Sequence, residues 1–348
     1  MARSNVSKRW VPLASVFPAT LNSETDVIAL KDGETPEAWG MDIDHPGYLA
    51  KGSIPTGTDR ITKTYSVGGN TYTWYYERLW RMVTNTIEYG FPEYTAVYLP
   101  HDIPLGFTED AQDLITFFPF RGQDMFVAKS TGAYMIPGAL SRAGAFTHTD
   151  INPALDVAAA GNATELDGVA YISNTTGFYG WDAQGVREIS APFRGLISRF
   201  SADTLKRDET KRRIIGTKFV YDAMNKNFYD FSQKGFRFTS RALNTRTSRQ
   251  PVETPFSVDK VGFYYTNTTE DDHVITIQVK RDEDWEDSET IDIRWAESGR
   301  TWTEYPLQKN YASRSFQVRI IDITSGLRIK DIAVLTDMPE QSEQSWSQ

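Results

Sequence analysis

The sequence of 348 residues contains no cysteine. Disulfides, thiolate zinc sites, iron–sulfur clusters and cysteine nucleophiles are therefore excluded together. Histidine is also scarce, with only His45, His101, His148 and His273, which are scattered along the chain. Because an isolated histidine beside a turn is usually structural or solvated, the sequence predicts no metal site and no cofactor.

Long apolar runs are missing as well. No stretch approaches the roughly 20 apolar residues of a membrane-spanning helix, so no membrane insertion is predicted. The basic segment 1–10 is not followed by a continuous apolar run, and we therefore expect no signal peptide and a protein made in the cytoplasm. The formal net charge of −9 argues against a protein that coats nucleic acid over its whole surface.

Helical periodicity is scarce too. One helix is predicted over 202–213, with Ser201 or Asp203 as its N-cap. Aromatic residues are abundant, with nine Trp, 17 Tyr and 19 Phe. Together with many Thr, Val and Ile residues they favour strands over helices.

Glycine-punctuated hairpins recur along the chain. They are predicted at 125–136, 169–181 and 227–238, with turns at Gly132, Gly177 and Gly235, and a related hairpin turns at Asn85. These turns lie roughly 45 to 60 residues apart, about the length of one four-stranded propeller blade. The sequence therefore predicts an all-β fold, a β-propeller-like array of antiparallel hairpin blades with a C-terminal β-rich segment. One or two β-sandwiches are the alternative.

The pattern changes near residue 250, where Gln250–Pro255 has the composition of a linker. We therefore predict propeller-like blades over 1–255 and a C-terminal β-rich segment over 256–338. The alternating apolar and polar residues of 256–338 are typical of a half-buried antiparallel sheet, either closing blades or a small sandwich. The polar tail 339–348 is expected to be disordered.

One short segment resembles the Asp-box, a structural hairpin turn that recurs in many propellers. Its matching positions are Glu297, Gly299, Thr301 and Trp302, with Glu297 standing where Asp is usual. In such a turn the acid caps backbone amides, glycine takes the left-handed conformation and tryptophan packs beneath. The resemblance implies a folding element and no catalysis.

A wider resemblance begins with this hairpin. It is followed by Ser313–Arg319 and by the strand 329–334, and that order resembles the C-terminal part of β-propeller virion proteins of bacteriophages. Tail hub, stopper and packaged-DNA-stabilisation proteins of short-tailed phages belong to this group, and segments 78–94 and 120–134 are similar to it as well. The resemblance implies a structural protein of the virion tail that forms a homo-oligomeric ring, often a hexamer. Such a ring links the connector to distal tail proteins around the DNA channel.

Charge is unevenly distributed in the second half of the chain. The basic residues singled out are Lys206, Arg207, Lys211, Arg212 and Arg213, and the acidic ones are Asp282, Glu283, Asp284, Glu286 and Asp287. Three interpretations stay open: two solvated faces, complementary faces of neighbouring subunits in a ring, or a basic strip that contacts the phosphates of packaged DNA.

Motifs of catalysis are not found. The sequence has no glycine-rich phosphate loop, no Gly-x-Ser-x-Gly and no His-Glu-x-x-His, so we predict that the protein is not an enzyme. The alternative function is a carbohydrate-binding or carbohydrate-cleaving propeller, such as a receptor-binding tail component, with Trp74 or Trp181 stacking on sugar rings. A cellular scaffold that docks peptides is a third hypothesis.

Overall fold

The computed structural model describes residues 8–25, 29–57, 64–67, 70–75, 78–83, 96–98, 114–122, 124–129, 132–137, 149–152, 155–244, 254–269, 271–282, 284–286, 288–293, 301–309 and 312–338. Several predictions of the sequence lie outside these residues. They concern the turn at Asn85, the Asp-box positions Glu297 and Gly299, the acidic residues Glu283 and Asp287, and the tail 339–348.

The described chain is almost entirely β-structured. The first four strands are β1 Arg9–Ala14, β2 Thr20–Leu21, β3 Glu34–Thr35 and β4 Ala38–Trp39. The next sixteen are β5 Thr64–Val67, β6 Asn70–Tyr75, β7 Arg78–Val83, β8 Ala96–Tyr98, β9 Leu114–Phe120, β10 Asp124–Lys129, β11 Gly132–Ile136, β12 Thr149–Asn152, β13 Ala163–Leu166, β14 Val169–Ser173, β15 Phe178–Trp181, β16 Val186–Glu188, β17 Lys206–Asp208, β18 Arg213–Ile215, β19 Phe219–Asp222 and β20 Asn227–Asp230. The last nine are β21 Arg237–Thr239, β22 Leu243–Asn244, β23 Val258–Asn267, β24 His273–Arg281, β25 Asp284–Trp285, β26 Glu289–Ile293, β27 Thr301–Pro306, β28 Ser315–Ile323 and β29 Leu327–Thr336. The helical elements of the described residues are two 3₁₀ segments, Ala160–Asn162 and Ala191–Arg199.

Contacts divide the chain into two compact units. One unit is continuous and comprises Pro55–Lys226, and the other combines Met1–Ile54 with Asn227–Gln348. We call them the blade unit and the sandwich unit. The boundary predicted near residue 255 is not one of these division points, and it stays a prediction.

The blade unit consists of sheets in which consecutive strands pair antiparallel. Their strand orders are β5-β6-β7-β8, β12-β11-β10-β9 and β13-β14-β15-β16, and the strands β17, β18 and β19 pair in the same antiparallel way. Strand β13 lies beside β9 and β17, so the first strands of three successive sheets are neighbours. Up-and-down four-stranded sheets whose first strands adjoin are propeller blades, and the predicted fold class is confirmed.

Aromatic side chains join two neighbouring blades. Phe126 of β10 and Trp181 of β15 belong to one buried cluster, with ring centroids 6.3 Å apart. Phe120 stacks on Trp181 at 4.7 Å, and Phe118 stacks on Phe126 at 4.6 Å. Burial of such large rings is the main stabilising contribution at this blade–blade contact.

Two details of the sequence prediction are wrong. The helix predicted over 202–213 is absent, because Lys206–Asp208 and Arg213–Ile215 pair as antiparallel strands. Arg212, in the turn between them, has a positive φ that ends any helical path. The hairpin predicted at 227–238 does not form either, since β20 and β21 belong to different sheets. The hairpins at Gly132 and Gly177 are confirmed.

The sandwich unit contains two larger sheets. One has the order β1-β29-β23-β27, and the other has the order β25-β24-β28-β21-β4, with β22 and β26 as side strands. Strand β24 alternates strictly between buried and partly exposed residues, as a strand with one buried face does. Buried side chains such as Phe263 and Val334 of the first sheet and Ile277 and Ile320 of the second form the core. Each of the two sheets therefore has one buried face and one outer face.

Among the described residues, no helix has both the length and the hydrophobicity that are required to span a membrane.

Candidate functional site

The outer face of the sheet β1-β29-β23-β27 carries a cluster of aromatic side chains. We call it the aromatic face and define it by Trp10, Gly262, Tyr264 and Trp302. The strand register brings these residues together, since Tyr264 lies opposite Trp302 and Trp10 lies opposite Leu335 on β29. Directly opposite residues of an antiparallel pair project to the same side of a sheet, so three separate strands contribute to one surface.

Strand β23 separates this surface from the core. Val261, Phe263 and Tyr265 are at most 5% exposed and point inward. Gly262 and Tyr264 occupy the intervening positions and therefore point outward. Tyr264 is 41% exposed, which is unusual for a large aromatic side chain in the middle of a strand.

Gly262 allows the indole of Trp302 to lie directly on the sheet. A Cβ atom at residue 262 would lie only 2.1 Å from both Cη2 and Cζ2 of Trp302, and 2.9 Å from Cζ3 of Trp10. The Trp302 ring thus covers the space that a side chain would fill. The six-membered ring of the indole therefore lies close to the backbone of β23.

The neighbouring rings hold Trp302 in this position. Trp10 meets it edge to face, with ring centroids 4.8 Å apart. The ring centroid of Tyr264 lies 4.3 Å from that of Trp302, with the planes tilted by 45°. Both geometries are favourable for aromatic pairs, so the indole is oriented before any ligand arrives.

Polar groups border the aromatic face. The Nε1–H of Trp302 donates a hydrogen bond to Glu304 Oε1 at 3.1 Å, and Lys260 Nζ donates to Glu304 Oε2 at 2.7 Å. These two hydrogen bonds, that from Lys260 first, lower the pKa of the Glu304 carboxyl. The ionised form of Glu304 is therefore favoured, and an acceptor and a donor lie next to a partly exposed indole.

A flat apolar ring bordered by a carboxylate and an ammonium group suits one kind of ligand particularly well. Pyranose sugars have an apolar face of C–H groups and a rim of hydroxyl groups. The C–H face can pack on an aromatic ring, and the hydroxyl groups can bond to charged side chains. The geometry can hold such a ring without a metal or cofactor.

The predicted Asp-box residues Thr301 and Trp302 both lie in β27. Thr301 pairs with Tyr265 and Trp302 pairs with Tyr264, so they project to opposite sides of the sheet. Trp302 lies on the outer face of a sandwich sheet and packs on Gly262 of another strand. Its packing partners are therefore long-range, whereas the resemblance implied local packing beneath a turn.

The predicted basic residues are found at neighbouring blades. Arg207 of β17 lies 3.1 Å from Glu165 of β13, and Arg212 lies 2.6 Å from Asp167. Arg213 is 8% exposed. Lys206 lies on β17 and Lys211 donates its backbone N–H to Asp208. Two of the arginines thus join adjacent blades, which favours a structural role, and the DNA-facing role stays a prediction.

The predicted acidic residues lie near the β24–β25 turn. Asp282 accepts hydrogen bonds from the backbone N–H groups of Arg314 and Ser315. Glu286 pairs with the buried Arg281, and Asp284 begins β25. The described members of this group therefore have partners within the same sheet or stand at its edge, and a role as a complementary subunit face stays a prediction.

The tryptophans that the sequence singled out for sugar stacking are not part of the aromatic face. Trp181 is only 6% exposed and stacks on Phe120 in the blade core, so it is not accessible to a sugar. Trp74 lies in β6 of the blade unit. The signal that identifies the aromatic face is the alternation around Gly262, where a small residue stands between the outward positions Lys260 and Tyr264.

Side chains that could bind a metal ion are dispersed over the described residues. These residues contain no cluster of three or more His, Cys, Asp or Glu side chains that could hold a metal ion. His273 is buried and its Nε2 lies 3.2 Å from Thr269 Oγ1, whereas His45 pairs with Asp42 at the surface. These two histidines therefore lie apart from each other and from the aromatic face.

No family model and no curated protein matches the chain. It is similar to a solved structure of exo-β-1,3-galactanase from Phanerochaete chrysosporium with galactose, at 11% identity and a TM-score of 0.24, over 83% of this chain and 69% of that one. It is also similar to a glycoside hydrolase family 43 arabinoxylan arabinofuranohydrolase from Bacillus subtilis, at 11% identity and 0.20, over 84% and 55%. A Cry1Da core variant from Bacillus thuringiensis is similar at 10% identity and 0.22, over 64% and 50%.

These findings correct the prediction that the protein is not an enzyme. Two of the three proteins named are glycoside hydrolases. Such enzymes use pairs of carboxylates that come from distant parts of the sequence, and the absence of short catalytic motifs does not exclude them. At these identities and TM-scores the likeness assigns no activity and no ligand to this chain.

Proposed function

We propose that this protein binds saccharides on the aromatic face of its sandwich unit. The observation that carries the proposal is the indole of Trp302, which lies against Gly262 and beside Tyr264, a ring that is 41% exposed. An aromatic ring in this position stacks on the C–H face of a pyranose with little loss of conformational freedom, since Trp10 and Tyr264 already hold it.

Polar contacts would orient the sugar. Glu304 is ionised and can accept hydrogen bonds from sugar hydroxyl groups, and Lys260 can donate to them. Ligand sites typically combine apolar area with a few polar groups of this kind. The exposed Tyr264 extends the apolar surface beside Trp302 and provides room for a second sugar ring.

The experiment is a binding measurement with neutral oligosaccharides. Cellotetraose, β-1,3-galactotriose and maltotetraose are titrated into the whole chain and followed by calorimetry and saturation-transfer NMR. We expect at least one of them to bind, and Trp302→Ala to weaken that binding at least about tenfold, equivalent to about 1.4 kcal/mol. Met224→Ala, at an exposed turn of the blade unit, is the control and should bind as the wild type does.

A second variant separates loss of the ring from loss of its position. Gly262→Val keeps Trp302 but forces the indole off the sheet, so it should also weaken binding. Binding that persists unchanged in both variants would exclude the aromatic face as the saccharide site. The absence of any transfer signal with all three sugars would contradict the proposal itself.

The role as a ring-forming virion protein that contacts packaged DNA and other tail proteins stays a prediction. It is supported by the sequence resemblance to phage propeller proteins. Saccharide binding is compatible with a virion tail component, because tail proteins meet the cell surface of the host.

A further inference from the structure

The second sheet of the sandwich unit carries a different cluster on its own outer face. Arg237 of β21 lies opposite Trp39 of β4, and Thr239 lies opposite Arg319 of β28. Phe238, between Arg237 and Thr239, is 1% exposed and points into the core. The arginines and Trp39 therefore project outward from the same face.

Each arginine stacks on a tryptophan. The guanidinium carbon of Arg237 lies 4.4 Å from the ring centroid of Trp39, and that of Arg319 lies 3.8 Å from the ring centroid of Trp285. We call Glu37, Trp39, Arg237, Trp285 and Arg319 the arginine row. Such stacking fixes the plane of each guanidinium group and directs its N–H groups sideways.

One carboxylate lies between the two cations. Arg237 donates to Glu37 Oε1 at 3.2 Å, and Arg319 Nη2 lies 2.7 Å from Glu37 Oε2. Two guanidinium groups and one carboxylate leave one positive charge uncompensated within the arginine row. Burial and the neighbouring Arg237 lower the pKa of Arg319, while Glu37 opposes that shift.

Further groups add positive charge to the arginine row or hold it in position. Lys280 Nζ lies 5.9 Å from the ring centroid of Trp285 and adds a second source of positive charge at this end of the row. Arg319 Nε donates to Thr239 Oγ1 at 3.2 Å, which holds the guanidinium in place. The row is therefore a preorganised, partly buried arrangement of two guanidinium groups around one carboxylate, in a chain whose formal net charge is −9.

From this geometry we infer that the arginine row binds a saccharide with a single carboxylate group, such as a uronic acid or a sialic acid. A guanidinium fork matches the two oxygens of a carboxylate, and the charge left uncompensated by Glu37 equals one such group. The tryptophan rings at both ends offer apolar edges to the sugar ring. A polyanion fits less well, because the acidic chain repels a ligand of many negative charges.

The test compares acidic and neutral sugars in the Trp302→Ala background, so that the aromatic face does not contribute. 3′-Sialyllactose and glucuronic acid are compared with lactose and glucose by saturation-transfer NMR and calorimetry. The acidic sugars should bind, and the neutral partners should bind at least about tenfold more weakly, as expected when a charged group loses its partner. If the aromatic face does not bind saccharides at all, the outcome of this comparison is unaffected.

Two substitutions distinguish a binding site from a structural ion-pair network. Arg319→Lys keeps the charge but removes the planar fork, and it should weaken sialyllactose binding about tenfold. Glu37→Gln removes the competing carboxylate and should tighten binding severalfold, a gain that a misfolded variant cannot show. Thermal unfolding of each variant checks the fold.

Three outcomes would overturn the inference. Equal binding of sialyllactose by the wild type and Arg319→Lys would exclude the guanidinium fork, and unchanged or weaker binding by Glu37→Gln would exclude charge complementarity. Tighter binding of an oligothymidylate or of a glutamate-rich peptide than of sialyllactose would assign the row to that class of ligand instead.

Discussion

At the scale of the residue, the aromatic face depends on the absence of one side chain. Gly262 stands opposite Glu304, and the missing Cβ provides the space that the Trp302 ring occupies. Glycine usually weakens a strand because it has no side chain to pack, and here the indole of another strand replaces that packing. The same contact places Trp302 Nε1 within hydrogen-bonding distance of Glu304.

The protonation of Glu304 should make saccharide binding pH-dependent. Its pKa in the folded protein is lowered from the usual 4.5, so the ion pair with Lys260 stabilises the fold above that value and is lost as the pH falls through the folded pKa. We expect binding of a neutral oligosaccharide to be constant above pH 4.5 and to weaken below it. Glu304→Gln should remove this acid dependence, as measured by calorimetry across the pH range.

Glu304 is exposed, so the ion pair is screened by salt. The acid-induced loss of binding should therefore be smaller at high ionic strength. The same acid profile in the wild type and in Glu304→Gln would show that another group is responsible.

At the scale of the element, turn chemistry builds the blades. The turn from β13 to β14 contains Asp167 and Gly168, both with positive φ, and Arg121 and Gly122 repeat this arrangement between β9 and β10. Two consecutive positive φ values belong to the tight hairpin turn whose twist matches that of the strands. The dipeptide Asp-Gly predicts such a turn from the sequence. The positive φ of Arg121 cannot be predicted from its residue type.

The contact between blades depends on the aromatic cluster around Phe126. This side chain is fully buried, stacks on Phe118 and approaches Trp181 of the next blade. Phe126→Ala should therefore lower the free energy of unfolding by about 3–5 kcal/mol, since the ring leaves a cavity between two sheets. Denaturant unfolding followed by circular dichroism gives this value.

The matched control for Phe126 is Val186→Ala in β16. Val186 is 36% exposed, so its substitution should change stability by no more than about 0.5 kcal/mol. Similar losses for both variants would mean that the aromatic cluster is not the main stabilising contact between these blades.

At the scale of the whole molecule, the first and the last strand of the described chain belong to one sheet. Strand β1 pairs with β29 from Arg9↔Thr336 onward, and β1 forms one edge of the sheet that carries the aromatic face. Pairing over such a long sequence separation costs loop entropy before it gains contacts, so it depends on side-chain burial. Leu13 provides that burial, being 1% exposed.

A substitution near the N-terminus should therefore destabilise the C-terminal sheet. Leu13→Ala is expected to lower the free energy of unfolding of the sandwich unit by about 2–5 kcal/mol. Hydrogen exchange of the β29 amides should become faster in this variant. Pro12→Ala, at the exposed neighbouring position, should leave the exchange rate of the β29 amides close to that of the wild type. An unchanged exchange rate of these amides in Leu13→Ala would contradict the long-range pairing.

The sequence by itself determined the strand content, the hairpin blades and the half-buried sheet of 256–338, because glycine turns and period-two alternation are local properties. Only the tertiary structure decided which strands share a sheet. It joined 9–14 to 327–336, separated β20 from β21, and brought Trp10, Tyr264 and Trp302 onto one face. Strand pairing between distant segments is set by mutual burial and register, which no single segment encodes. The aromatic face and the arginine row are therefore products of pairing, and neither corresponds to a motif along the chain.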